Sequence, residues 1–121
     1  MSNNHFFDVD VAAEYGLTEA ILIANFQFWI RKNIANNSNC FESRTWTYNS
    51  NKALLKLFPY LTRGSITRAI NNLVLSGVLV KGNYNASAYD KTLWYSFVDE
   101  SRWIESSSSI DQKLQIEERN N

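Results

Sequence analysis

Apolar and polar positions along the chain fall into distinct regimes, and each predicts a different kind of element. Residues 6–11 alternate weakly, which fits a short strand or an arm lying across the domain. After Gly16 the pattern becomes helical from Thr18 to about Asn33, with Thr18 as N-cap and Leu17 and Leu22 spaced as a hydrophobic staple. This helix is apolar nearly all round, through Ala20, Ile21, Leu22, Ile23, Ala24, Phe26, Phe28, Trp29 and Ile30. One buried stripe seats a helix on a small domain, so the surplus must be covered by the N-terminal arm, the C-terminal segment or another chain. A homodimer through helix 18–33 is the expectation, since a twofold axis then presents two copies of any recognition helix.

Past the polar loop 36–39, residues 44–48 alternate like a half-buried strand. A second helix starts at Asn49 or Ser50, both good caps, and ends near Phe58, because the residue before Pro59 is pushed out of the helical region. Thr62 caps a third helix that runs to Ser76, where Gly77 supplies a left-handed stop. Within it Ile66, Ala69, Ile70 and Leu73 stand at i, i+3, i+4 and i+7, a single buried stripe. Residues 78–81 and 93–98 then read as strands paired across the loop 83–91, whose Asn, Ala and Ser content suits a turn. Trp94 and Tyr95 are adjacent, so one is expected in the core and the other as a surface anchor. Residues 106–109 read as a Ser-rich linker and 110–121 as a charged, weakly helical tail, giving one domain over 1–104 and a linker with tail over 105–121. The fold class is mainly α with a small β-hairpin or sheet, an α+β fold. Helix, turn, helix and hairpin in that order outline a winged helix-turn-helix.

Composition narrows the function classes. A chain of 121 residues, 45% hydrophobic and 14% aromatic, is enough for one packed core and too short for two. It holds no run of about 18 uncharged apolar residues and its polar start lacks a basic signal-peptide region, so the expected location is the cytoplasm, on the nucleoid of a bacterial host, with no membrane partner. Cys40 is the one cysteine, which excludes an internal disulfide and a Cys-rich zinc site; it is expected as a small, partly buried apolar residue. His5 is the one histidine and is expected in a mobile segment, the four glycines form no phosphate loop, and the carboxylates are scattered. No enzyme, cofactor, metal or small-molecule substrate is expected.

Charge changes the picture more. The net charge of zero conceals segregation: residues 1–43 carry a net −3, residues 92–121 a net −3, and residues 44–91 a net +6. That central block sets Arg44, Lys52, Lys56, Arg63, Arg68, Lys81 and Lys91 against Asp90 alone, and it coincides with the parts such a fold turns to phosphate. Opposite the buried stripe of the third helix lie Gly64, Arg68 and Asn71, flanked by Ser65, Thr67 and Asn72 and preceded by Arg63. These are small or hydrogen-bonding side chains without a carboxylate, as close approach to base edges in a major groove requires. Lys52, Lys56, Lys81, Asn85, Ser87 and Lys91 are the expected backbone and wing contacts.

The segments Arg44-Thr-Trp-Thr-Tyr-Asn-Ser50, Phe58-Pro59-Tyr60, Arg68-Ala69-Ile70, Gly77-Val-Leu-Val80, Asn83-Tyr84-Asn85 and Asp90-Lys-Thr-Leu-Trp-Tyr95, with Arg63, Ile66 and Leu73, carry a resemblance. Over about residues 15–98 the chain resembles the N-terminal winged-helix domain of phage and prophage replication proteins, the replisome-organiser and DnaD-associated group. The resemblance implies binding of double-stranded origin DNA, with Arg63, Thr67, Arg68 and Asn71 on the reading helix and residues 85–91 as the wing. In that family a following domain recruits helicase-loading proteins; the chain ends where it would begin, so a truncated protein or a free-standing DNA-binding protein is expected. Two other readings stay open: a transcription regulator using the same surface, and a winged-helix protein-interaction module without DNA binding, which would lack a positive third helix and wing.

Overall fold

The computed structural model describes residues 4–105, so the linker and tail expected over 106–121 lie outside the described residues. Within them the chain is α+β, about half helical with small antiparallel sheets. Only residues 4–7 form an arm, because the Asp8 carboxylate accepts hydrogen bonds from the amides of Asp10 and Val11 and caps a helix, α1 (Val9–Tyr15). Val11 and Tyr15, four apart, pack on the core; the weak alternation was a helical period cut short. The arm carries His5, with Nδ1 2.8 Å from the Tyr60 hydroxyl and its ring edge-on to Phe58 at 4.8 Å.

Gly16, at φ 118°, joins α1 directly to α2 (Leu17–Ala35). A residue with a Cβ rarely adopts that angle, and it lets one residue end one helix and cap the next. Thr18 is consequently inside the first turn rather than the N-cap, and Leu17 is exposed instead of forming a staple. Leu22, Phe26 and Ile30 of α2 form the centre of the core. No helix among the described residues is long and apolar enough to cross a membrane.

The predicted strand 44–48 is split at Trp46, whose amide donates to Asn39 O and whose indole N–H donates to Phe41 O. Its first half, β2 (Arg44–Thr45), pairs with β1 (Cys40–Phe41) through the two-residue turn Glu42–Ser43, with φ 54° and 63°. The second half, β3 (Thr47–Tyr48), pairs with the hairpin farther along the chain. Ser50 caps α3 (Asn51–Leu57), Phe58 ends it before Pro59, and a capping box between Thr62 and Ser65 opens α4 (Arg63–Leu75). Ile66, Ala69, Ile70 and Leu73 form the expected buried stripe. β4 (Leu79–Gly82) and β5 (Trp94–Phe97) complete an antiparallel sheet in the order β3-β5-β4, and a last wide turn, Ser101–Glu105, brings Trp103 and Ile104 into the core.

Both Trp94 and Tyr95 are buried, where one surface anchor was expected. Tyr95 packs on Phe26 beneath the sheet, ring centroids 5.5 Å apart. Trp94 faces the other way and is covered there by Phe41, Tyr48 and Tyr84 at 4.6–5.8 Å. The β1–β2 hairpin thus lids the outer face of the sheet, and local alternation does not announce a lid supplied from elsewhere in the chain. Cys40 lies on that hairpin and is exposed, contrary to the buried position expected, because neither residue of β1 reaches the core. Gly82 faces the same aromatic cluster; a Cβ there would stand 2.8 Å from the Trp46 ring and 2.9 Å from that of Tyr84.

Candidate nucleic-acid interface

Three elements far apart in sequence meet at one cleft of about 430 Å³. The start of α3 and the residues before it contribute Asn49, Ser50, Asn51 and Lys52, the first turn of α4 contributes Arg63, and the base of the β4–β5 loop contributes Lys91, Thr92 and Leu93. Tyr95 closes the bottom. Lys52, Arg63 and Lys91 bring three positive charges to this opening, and no carboxylate lines it. Such an arrangement attracts a polyanion, because like charges around a low-dielectric concavity reinforce one another's field. Burial pushes the Tyr95 hydroxyl above its ordinary 10.0, so it stays protonated and able to donate.

Along α4, Gly64, Thr67, Arg68 and Asn71 are exposed with Arg63, so the expected outer face exists and runs out of the cleft. Lys56 is exposed one turn beyond Lys52, and Lys81 pairs in register with Tyr95, which places it on the cleft side of the sheet. Ser87 is exposed at the loop, its hydroxyl accepting the Tyr89 amide.

Three expected contacts have other work. The Ser65 hydroxyl accepts from the Thr62 amide at 3.0 Å and donates to the Thr62 carbonyl at 2.9 Å, so it closes the capping box. Asn72 donates to the Glu19 carboxylate at 3.2 Å: its flank of α4 rolls toward α2, and a carboxylate of another helix borders the face that is free of them in sequence. Asn85 is an internal staple. Its amide nitrogen donates to the carbonyls of Asp90 and Thr92, at 3.0 and 2.8 Å, and its oxygen accepts the Trp94 indole N–H at 2.7 Å. Arg44, counted in the basic block, donates to the carbonyls of Phe97 and Val98 at 2.8 Å each, at the far end of β5.

The chain matches no family model, no curated protein and no solved structure. The site is therefore read from its geometry. That geometry leaves Arg63, Gly64, Thr67, Arg68 and Asn71 exposed on α4 without another structural partner, and Lys52, Lys56, Lys81 and Lys91 exposed on the neighbouring elements. Sequence reasoning missed Asn49, Asn51 and Tyr95. The polar run 49–51 was legible as a helix cap and nothing more, and Tyr95 enters the cleft only because β5 is the central strand of its sheet.

Proposed function

We propose that this chain is a winged helix-turn-helix protein that binds double-stranded DNA, with α4 in the major groove and the β4–β5 loop as a wing along the phosphate backbone. The observation that carries the reading is the convergence of Lys52, Arg63 and Lys91 from three separate elements on a cleft without a carboxylate. The same order of elements, helix, strand, helix, turn, helix and hairpin, supports it. Base edges are read by Arg68 and Asn71, whose guanidinium and amide suit guanine and adenine respectively, and Gly64 allows close approach, with nothing within 4 Å of the position its Cβ would take. Lysines from α3 and the wing neutralise phosphates and fix the register.

The sequence resemblance supports a phage or prophage replication origin as the bound site. A transcription regulator would use the same surface at a promoter instead. Footprinting across the replication origin and the promoters of the same genome tests the assignment: protection within the origin is expected, and protection confined to promoters favours the regulator.

A further inference from the structure

The hydroxyl of Tyr95 has no use inside the protein. Its side chain is 3% exposed and lines the cleft between α3, α4 and the wing. The ring packs on Phe26, centroids 5.5 Å apart, so the core explains why the ring is buried but not why it carries an oxygen. Among the described residues that oxygen has no hydrogen-bond partner, yet it is not enclosed as Asn25 Nδ2 and Arg31 Nε are. The cleft is the direction left open to it. A hydroxyl at the bottom of a concavity is desolvated at a cost unless something meets it there, and phenylalanine would fill the same place in the core without that cost.

The rest of the lining says what kind of group that is. Lys52, Arg63 and Lys91 stand around the opening, and the carboxylate nearest in sequence, Asp90, is turned back onto the Thr92 amide at 3.0 Å. An acceptor that enters here is therefore drawn in as an anion. Burial holds the Tyr95 hydroxyl protonated, so it meets that anion as a neutral donor. The position of the cleft names the source of the anion. It lies between the first turn of α4 and the base of the wing, so a DNA strand in contact with both passes over its mouth.

We infer that the cleft seats one phosphate of the DNA backbone, with the Tyr95 hydroxyl donating to a non-bridging oxygen at the bottom and Lys52, Arg63 and Lys91 around it. The inference rests on the duplex-binding reading and adds to it a contact that releases no counterion, because a hydroxyl carries no charge. Tyr95→Phe keeps the ring on Phe26 and removes only the donor. It is expected to weaken duplex binding about 10-fold, the scale of one hydrogen bond to a charged group, while plots of log affinity against log salt for the two proteins run parallel. Its urea midpoint should be unchanged, since no protein group loses a partner. Unchanged duplex affinity overturns the inference and leaves the duplex reading intact. A lowered urea midpoint overturns it too, because the partner of the hydroxyl then lies inside the protein. If the unsubstituted protein binds no duplex at low salt, the duplex reading falls, and NMR titration with inorganic phosphate decides the cleft by itself. Saturable shifts of the Lys52, Arg63 and Thr92 amide resonances that Tyr95→Phe weakens uphold the phosphate seat, and the absence of such shifts overturns it.

Discussion

The cationic cleft is assembled from side chains of α3, α4 and the wing, whereas a second, apolar groove on the outer face of α2 is walled chiefly by that helix and the arm that crosses it. Their rims differ as much as their linings. The wing is locked from within: Asn85 makes three hydrogen bonds that close the loop, and Gly82 admits the rings of Trp46 and Tyr84 against the strand that leads into it. The arm is held through His5, by an exposed hydrogen bond to Tyr60 and an edge-on contact with Phe58. A fixed rim suits a ligand of fixed repeat such as duplex DNA, because ordering cost is then met in folding rather than in binding.

Breaking the lock is expected to have the largest effect. Gly82→Ala drives a methyl into Trp46 and Tyr84 and should cost up to about 3 kcal/mol of stability; Asn85→Ala orphans the Trp94 indole N–H and should cost about 1–3 kcal/mol. Urea titration followed by tryptophan fluorescence measures both, and a wing that is not locked would show neither loss. Next come the proposed base readers. Arg68→Ala and Asn71→Ala should each weaken binding to a confirmed site by roughly 1–3 kcal/mol with the fold intact. Asn72→Ala should not, since Asn72 is turned to Glu19, and gel-shift titration of the three side by side separates the faces of α4.

The smallest effects concern the rims. His5→Ala should change stability by less than about 0.5 kcal/mol, as expected of an exposed contact, and a larger loss in thermal unfolding would mean that the arm is as fixed as the wing. Acid acts on the wing late. The Thr92 amide bonded to the Asp90 carboxylate holds that group below its ordinary 3.8, so the contact is present above that value and is lost as pH falls below it. The Thr92 amide resonance followed by NMR should therefore stay unperturbed down to that value, and Asp90→Asn should abolish the acid transition.

The core was legible in the sequence because its signals are local. A helical period, a residue before Pro59 and a Thr62 cap depend on neighbours a few positions away, and α3, α4 and their turn follow from them. Apart from α1 and the Gly16 junction, whose signals were local, what failed depended on distant parts of the chain. Nothing near Trp94 says that Phe41 will cover it, and nothing near Asn72 says that Glu19 will approach. Asn85 and Lys91 look alike as polar wing residues; only the folded loop shows that one closes it and the other lines the cleft. The excess of apolar residues on α2 was readable as a surplus, while the buried, unpaired Nδ2 of Asn25 emerged only from the packed structure.

The salt dependence of duplex binding tests the central claim most directly. Fluorescence anisotropy with a labelled duplex, repeated across a series of salt concentrations, gives the slope of log affinity against log salt. Each phosphate contact contributes about −0.9 to that slope, so neutralising Lys52, Lys56, Lys81 or Lys91 singly should flatten it by roughly 0.9 and lower affinity about equally on all sequences. Phe28→Glu, outside the cleft, should leave the slope on a single half-site unchanged. A slope that none of the lysine substitutions alters, or no binding at low salt, contradicts the assignment of the cleft to DNA.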